Sequence, residues 1–517
     1  MVSDNVPNPS ASSSRPKSVQ AYIDETPMWP DGTSVSSTPM TSMQWRIWML
    51  AAAGKFFEGL VVFMTGVAMP LIADEFHITA AQHGIVGAAS LFGILIGAIG
   101  LGGLSDLFGR KVMFKTEMII FMVFLILLVA SPSYVWLVVF LFGIGVALGC
   151  DYPTAHLIIS ESIPSSVRGR LVLGAFGFQA LGALTGTAVG YLVLKNMPDI
   201  GAWRWMYATA IVPALLVTIG RFYISESAPW LFSRGRVEEA EEQAAQLLRR
   251  APIYPKQVKF SRVGQRDGTA KKRRPSYARL FDTANRRATI LASVPWFLQD
   301  LGTYGIGIFT PTILAASFGH KTAHVRSVVD LVLNDELAAK GAAMIDVLLI
   351  VGVLCAVLLA DKLGRITLQI FGFIGCAVGL LLASLSTSYT GSTRIAFIFA
   401  GFMLFNFMTN LGPNAQTYLL AGEVFPTHVR GMGAGFAAAF AKIGAVTTAF
   451  LFPILLADIG TRTLLYGLVV TSLLGAAITW LFRIETTGVD LEKIGEDTAL
   501  FEAAPHVMTT KRASTRG

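Results

Sequence analysis

The chain has 517 residues, of which 53% are hydrophobic and 14% are charged, and its formal net charge is +8. A composition this apolar excludes an ordinary soluble protein and is typical of a membrane protein. The Lys and Arg residues gather after alternate apolar stretches, which excludes nucleic acid as their partner and predicts that these loops and both termini are cytoplasmic.

Twelve apolar stretches are long enough to cross a bilayer. They lie near residues 46–73, 84–104, 112–131, 134–159, 171–194, 202–222, 288–316, 342–360, 367–386, 393–421, 432–457 and 462–483. The stretches predict two six-helix bundles, over residues 43–222 and 288–485. Residues 1–42, rich in Ser, Pro and Thr, predict a disordered cytoplasmic tail, and a second cytoplasmic tail is predicted from residue 486.

The polar segment 223–287 predicts a cytoplasmic central loop between the bundles. Within it, residues 237–250 predict an amphipathic helix, because the glutamates come early and the arginines late, as the helix dipole favours. A basic run at 271–274 predicts contact with anionic lipid headgroups.

Two motifs at the cytoplasmic ends of predicted helices occur twice. The segment 161–170 returns 262 positions later, and the segment 106–110 returns 255 positions later. Their charged residues predict latches that hold an outward-facing state, with static anchoring of the helix ends as the alternative. The predicted gating residues are Asp106, Arg110, Glu161, Arg168, Asp361, Arg365, Glu423 and Arg430. The duplication predicts an all-α integral membrane protein with twelve transmembrane helices in two pseudo-symmetric bundles.

Charged residues inside the spans indicate a polar site, because a charge at a helix centre costs about 2.5–3.5 kcal/mol on insertion scales. Those singled out are Lys55, Glu58, Asp151, Asp300 and Lys442, accompanied by the polar residues Tyr152, His156, Gln179, Gln299, Tyr304, Asn410 and Asn414. The repeat relates several of these positions to one another, so we expect them to converge on one cavity between the bundles.

The residue types suggest a chemistry. A carboxylate removed from water holds a proton more readily, which makes Glu58, Asp151 and Asp300 candidates for proton coupling. The buried cation Lys442 needs a carboxylate or an anionic substrate as its counter-ion. Lys55 and Glu58, spaced i,i+3, could instead neutralise each other. The sequence contains no recognisable phosphate-cradling glycine loop, nucleophile–base pair or metal cluster. We therefore expect neither ATP-driven transport nor an enzyme, and no cofactor.

The motifs resemble those of the major facilitator superfamily over residues 45–485. The segment 103–111 resembles the superfamily's loop signature between the second and third helices, and segments 203–205 and 225–231 resemble its sugar-porter branch. Segments 149–153, 296–305, 410–414 and 422–427 are similar to motifs of the phosphate–proton symporters. Where those symporters usually carry two aspartates in the first span, this chain has Glu58 and Val61.

This resemblance implies a phosphate site and a proton path. The residues that would surround phosphate are Tyr152, Gln179, Trp296, Asp300, Tyr304, Asn414 and Lys442. Asp151 and Asp300 would take part in proton movement. We therefore predict a monomeric, proton-coupled symporter of a small anion, first of all inorganic phosphate, in the plasma (inner) membrane. The alternatives are symport of an organic acid, sugar or other metabolite, and a nutrient sensor without net transport.

Overall fold

The computed structural model describes residues 18–25, 39–100, 104–249, 258–260, 277–318, 328–426 and 429–487. The first half contains a short α1 (Val19–Asp24), then α2 (Ser42–Phe76), α3 (Ala80–Gly100), α4 (Leu104–Phe108), α5 (Arg110–Val129), α6 (Tyr134–Ser162), α7 (Ser165–Asn196), α8 (Ala202–Ala208) and α9 (Ile211–Phe222). Two helices of the central loop follow, α10 (Ala228–Ser233) and α11 (Val237–Leu247).

The second half repeats this order of long helices. It contains α12 (Arg286–Phe318), α13 (Val328–Leu363), α14 (Arg365–Leu385), α15 (Gly391–Leu411), α16 (Pro413–Glu423) and α17 (Arg430–Leu481). The last of these is two helices in succession, because Gly460 has non-helical backbone angles (φ 75°, ψ 165°). Such a positive φ favours glycine, and it lets the chain leave one helix and begin the next without a loop.

The predicted membrane architecture is confirmed. Ten helical segments of the described chain are long and apolar enough to cross a membrane, and the segment Met432–Leu481 is one of them. Dividing that segment at Gly460 and adding the 33-residue α12 gives the twelve predicted passes. The sixth and tenth passes are broken, the sixth between α8 and α9 and the tenth at Gly412, where Pro413 begins α16.

The repeated Gly-Arg pair has a backbone explanation. Gly109 and Gly364 precede α5 and α14 with φ of 103° and 86°, a region that other residues rarely adopt. Each glycine turns the chain sharply so that the following arginine, Arg110 or Arg365, begins a membrane helix. The motif at 106–110 and its repeat at 361–365 therefore serve first of all to form a turn.

The predicted disorder of the N-terminal tail does not hold for residues 18–25. Ser18 caps α1, and the side chains of Tyr22 and Ile23 are buried. Asp24 accepts a hydrogen bond from the backbone N–H of Ser165 (2.7 Å), which satisfies one of the unpaired donors at the start of α7.

In the central loop, the predicted amphipathic helix forms as α11, and the basic run at 271–274 lies outside the described residues.

The most extensive contacts between the two halves are those of α3 with α17, α7 with α13 and α2 with α12. We call the end of the bundle where α2 begins at Ser42 the proximal face, and the end where α2 finishes at Phe76 the distal face. Close approaches join the halves on the distal side, since a methyl group added to Gly66 or Gly84 would overlap a backbone carbonyl oxygen of the other half.

Candidate solute-binding site

A network of buried charges lies where the halves meet, and we call it the central cluster (Lys55, Glu58, Gln179, Asp300, Tyr304 and Lys442). Glu58 on α2 pairs with Lys55 (2.7 Å) and, across the interface, with Lys442 on α17 (3.3 Å). Lys442 Nζ also lies 3.6 Å from Asp300 Oδ2 on α12. These four side chains are each less than 10% exposed, and their formal charges sum to zero.

Two neutral side chains complete the central cluster. Tyr304 Oη donates to Glu58 Oε1 (3.1 Å) and accepts from Lys442 Nζ (2.5 Å). Gln179 Nε2 donates to Tyr304 Oη (3.1 Å) and to Glu58 Oε1 (3.4 Å). Glu58 thus has four partners from both halves. Asp300, by contrast, has Lys442 as its charged partner, and among the described residues its buried Oδ2 finds no hydrogen-bond partner.

A narrow cavity of about 20 Å³ lies between the halves beside the central cluster, room for about one water molecule. Its polar lining residues are Gln179, Thr303, Asn410 and Asn414, and its aromatic ones are Phe63 and Phe176. Asn414 donates to Asn410 (2.6 Å), whose own amide donates to the backbone of α13. A solute can enter only if the halves move apart, since the space is smaller than any metabolite.

An aromatic group lies on the proximal side of the cavity. Tyr418 on α16 stacks on Phe176 of α7 with ring centroids 4.6 Å apart, and it meets Trp296 edge-on at 6.1 Å. His156 Nδ1 lies 3.3 Å from Tyr418 Oη. The structure therefore places Trp296 in this aromatic group instead of the central cluster.

Asp151 departs from its predicted place. It does not join the central cluster but accepts a hydrogen bond from Arg221 of α9 (2.6 Å), and Arg221 also pairs with Glu117 of α5 (2.9 Å). These three residues, here the Arg221 triad, are buried within the first half. The physical reason is that a nearby buried guanidinium offers Asp151 a charged partner on its own side of the interface.

Glu117, Arg221 and Asp346 were missed by the sequence analysis. Each is a charged residue inside a predicted span, so the insertion cost that singled out Lys442 would have found them if it had been applied to every span. The side chain of Tyr152, also predicted for the site, lies outside the described residues.

Arg110 and Glu161, two of the residues predicted to gate, belong to a cluster on the proximal face. Arg110 donates to both carboxylate oxygens of Glu161 (3.1 and 3.3 Å), and Ser227 donates to Glu161 as well (2.5 Å). Glu226 accepts from the backbone N–H of Lys111 (3.0 Å). The first half's two motifs are thus tied to each other and to the segment that follows α9.

The second half repeats this cluster. Arg365 donates to both carboxylate oxygens of Glu423 (3.3 and 3.5 Å), and Thr486 donates to Glu423 (2.5 Å). Glu485 accepts from the backbone N–H groups of Arg365 (3.0 Å) and Ile366 (3.2 Å). We call the two groups the proximal clusters, and both contain a residue pair, Ser227 and Glu226 or Thr486 and Glu485, that the sequence analysis did not assign to gating.

Ion pairs form both inside one motif and between the two motifs of a half. Asp361 pairs with Arg365 of its own motif (2.9 Å) and reaches across to Arg170 of the first half (3.3 Å). Glu161 and Glu423, however, pair with the arginines that begin α5 and α14. Arg168 and Arg430 instead donate to the backbone carbonyls of Ile163 and Phe425, closing the tight turns before α7 and α17. The side chain of Asp106 lies outside the described residues.

Comparison with known proteins agrees with this architecture. The family described as "Sugar (and other) transporter" matches residues 40–498. The niacin transporter NiaP of Acinetobacter baylyi is 27% identical over 89% of this chain and 98% of its own. A Schizosaccharomyces pombe protein, provisionally named an inorganic phosphate transporter, is 26% identical over 88% of each chain.

A solved structure has the same fold. The xylose transporter XylE from E. coli, in a partially occluded inward-open conformation, matches with a TM-score of 0.69 and 20% identity over 87% of this chain and all of that one. The prediction of a transporter over an enzyme is confirmed by the family, and so is the predicted fold. The chain therefore belongs to the "Sugar (and other) transporter" family of the major facilitator superfamily, and it is a multi-pass secondary transporter of the membrane.

Proposed function

We propose that the protein is a proton-coupled symporter of a small anion, with inorganic phosphate as the first candidate, and that it works by alternating access. The observation that carries this proposal is the charge balance of the central cluster. Lys55 and Lys442 face Glu58 and Asp300 at contact distance in a buried site, so their four charges cancel.

An anion that enters this site needs a compensating positive charge. Unbalanced charge in a low-dielectric site is strongly disfavoured, because desolvation is not repaid by an opposite charge. Proton uptake by one carboxylate would restore neutrality and at the same time free Lys442 to pair with the anion. Proton and anion would then bind together and leave together, which is symport.

Asp300 is the carboxylate that would take this proton. Glu58 has two lysines and two neutral donors as partners, all of which favour its ionised form. Asp300 has Lys442 at 3.6 Å, and its Oδ2 has no hydrogen-bond partner in the part of the chain that the structure describes. Protonation of Asp300 therefore disrupts fewer contacts than protonation of Glu58. The side chains left to hold a bound anion are Lys442, Tyr304, Gln179 and the cavity amides of Asn410 and Asn414.

Inorganic phosphate stands first because of the motif resemblance and because one relative carries that name. An organic acid stands second, and a specific observation favours it. The cavity has aromatic walls at Phe63 and Phe176, with Tyr418 and Trp296 behind them. Such rings suit a planar carboxylate more than a fully hydrated oxyanion. The name of the NiaP relative, a niacin transporter, is consistent with that class.

The test is uptake of radiolabelled phosphate into proteoliposomes under an inward proton gradient, with unlabelled arsenate, nicotinate or xylose in excess. Gradient-driven uptake that is inhibited by arsenate alone supports phosphate symport. If labelled nicotinate accumulates and phosphate does not, the organic acid is the substrate. Gradient-driven accumulation of xylose, with no anion transported, would contradict the proposal.

Two variants test the mechanism in the same vesicles. Asp300→Asn fixes a neutral side chain at the proposed proton site, so we expect exchange of labelled for unlabelled solute without accumulation against a gradient. Asp335→Asn is the matched control, because Asp335 is also buried in a membrane helix but lies outside the central cluster. Accumulation at the wild-type level by Asp300→Asn would exclude Asp300 as the coupling group.

A further inference from the structure

A second buried carboxylate lies at the interface between the halves, away from the central cluster. Asp346 on α13 is 3% exposed. Its Oδ2 lies 3.1 Å from Thr187 Oγ1 on α7, in the other half, and its Oδ1 accepts from Asn406 Nδ2 on α15 (3.1 Å). Within the described chain, no lysine, arginine or histidine interacts with it.

The hydrogen bonds around Thr187 determine where a proton is needed. The Thr187 hydroxyl has one hydrogen, and the backbone carbonyl oxygens of Ala183 (3.2 Å) and Leu184 (3.1 Å) compete with Asp346 to accept it. If the helix carbonyls take that hydrogen, as hydroxyls in membrane helices commonly allow, Thr187 Oγ1 is left as an acceptor facing Oδ2. Two acceptors 3.1 Å apart require a proton between them, and an Asp346 carboxyl group would supply it.

The charged groups on the neighbouring helices do not provide a counter-ion for an ionised Asp346. The titratable groups on the helices packed against Asp346 include Glu58 of α2, Asp300 and Tyr304 of α12, and Tyr191 and Lys195 of α7. The first three belong to the central cluster, and Lys195 lies over the Tyr191 ring (5.9 Å). On α15 the basic residue is Arg394, about three turns from Asn406. None of them is a partner of Asp346.

We propose that Asp346 is a second proton-binding site, and that its protonated form donates to Thr187 across the interface and holds the halves together on the distal side. This inference rests on the proposed proton coupling and adds to it a site that the central cluster does not contain. Its ligand is a proton, bound at Oδ2, and no other chemical change is required.

The position of Asp346 gives the site a role in the transport cycle. Thr187 is eight residues beyond Gln179 along α7, so it lies about 12 Å from the central cluster toward the distal face. When the distal face opens, α7 and α13 separate, the bond between Thr187 and Asp346 breaks, and water reaches the carboxyl group. Asp346 then releases its proton to the distal solution, and it must be protonated again before that face can close.

The first test is infrared spectroscopy of the reconstituted protein without solute, so that it does not depend on the substrate. We expect one component of the carboxylic acid carbonyl absorption at neutral pH to be lost in Asp346→Asn and retained in Asp335→Asn, which replaces another buried aspartate of the same helix and should remove only that residue's own component. Thr187→Val, which removes the acceptor, should shift the band, whereas Thr187→Ser should not. A spectrum of Asp346→Asn identical to that of the wild type would overturn the proposal.

The second test measures the distance between spin labels on the distal face. Labels replace Met197 and Tyr389, which are exposed near the distal ends of α7 and α14, in a chain whose cysteines Cys150, Cys355 and Cys376 have been replaced. In the wild type the population with separated labels should grow as the pH is raised. Asp346→Asn keeps a donor toward Thr187 and should remove that pH dependence, while Asp300→Asn should retain it. Equal pH responses in the wild type and Asp346→Asn would contradict the inference.

The transport assay separates this inference from the proposed function. In the cycle described above, Asp346 takes its proton from the distal solution and returns it there, so Asp346→Asn should still accumulate solute with an unchanged number of protons per solute, measured from the reversal potential. Loss of coupling in Asp300→Asn, together with a pH response of the labels in Asp346→Asn equal to that of the wild type, would leave the proposed function in place and exclude the second site. Normal accumulation by Asp300→Asn, together with loss of that pH response in Asp346→Asn, would support the second site and reject Asp300.

Discussion

Replacing Arg221 by methionine tests the Arg221 triad. The guanidinium is fully buried and donates to Asp151 (2.6 Å), to Glu117 (2.9 Å) and to the backbone carbonyls of Phe114 (2.7 Å) and Leu50 (3.2 Å). Removing it leaves two buried carboxylates without their cation. Breaking a buried pair in this way costs about 3–5 kcal/mol. We therefore expect Arg221→Met to be the most destabilising of the variants described here.

Asp151→Asn should lower the stability much less than Arg221→Met does, because of the net charge that each variant leaves in the triad. With both carboxylates ionised, the triad carries one excess negative charge. An asparagine leaves Arg221 and Glu117 as a neutral pair, and its amide oxygen can still accept from the guanidinium. The loss is then that of one charge-assisted hydrogen bond, about 1–2 kcal/mol. A proton-coupling role for Asp151, as the sequence suggested, would instead predict normal stability and loss of proton-driven uptake.

The assay is the temperature at which half of the detergent-solubilised protein loses its monodisperse peak in size-exclusion chromatography. Because membrane proteins commonly unfold irreversibly, the variants are ranked by this temperature at a fixed heating time. The triple variant Arg221→Met, Asp151→Asn, Glu117→Gln has no charges left in the triad, and we expect it to recover most of the stability lost in Arg221→Met. An Arg221→Met variant as stable as the wild type, or an Asp151→Asn variant less stable than Arg221→Met, would contradict this role of the Arg221 triad.

Three further predictions concern other parts of the molecule. Lys442→Ala should abolish proton-driven uptake while the protein still inserts and runs as a monodisperse peak, and normal uptake would reject the assignment of the central cluster. Gly66→Leu places a side chain against a backbone carbonyl of the other half, so it should keep the distal face open and increase the population with separated spin labels at positions 197 and 389, while an unchanged distance distribution would contradict this. Burial alone would raise the pKa of Glu485, but hydrogen bonds from the Thr487 side chain and from the backbone N–H groups of Arg365, Ile366 and Thr487 hold its pKa below the ordinary 4.5. Its stabilising contribution is therefore present at neutral pH and is progressively lost as the pH falls below 4.5, so Glu485→Gln should lower the melting temperature at pH 7 and lower it by less as the pH falls.

The sequence predicted the fold well because each piece of evidence was local and strong. Long apolar runs predict membrane helices directly, and their bounds agree with the structure within a few residues at most ends. The exception is α13, which begins at Val328 although its apolar stretch begins near residue 342. Its first turns include Asp335 and Lys340, so hydropathy alone could not extend the helix that far.

The candidate site was predicted in part, and the difference follows from what a repeat can reveal. Glu58, Asp300 and Lys442 meet because equivalent positions of the two halves face the same interface. The partners of Asp151 could not be found this way, since an ion pair within one half leaves no trace in the comparison of the halves. The pairing of Glu161 with Arg110 was missed for a different reason, since it joins residues of two motifs that lie 51 positions apart in the sequence.

The proximal clusters also define how much chain a half requires. In each half the last membrane helix is followed by a short segment that folds back and binds the ends of the third and fourth membrane passes, through Glu226 and Ser227 in one case and Glu485 and Thr486 in the other. The unit that was duplicated therefore ended after this segment and not at its sixth helix. Ending the chain before Arg483, or replacing the residues from Arg483 onward by a fluorescent protein, would remove the second half's segment. A fluorescent protein fused after Thr487 would leave both halves complete.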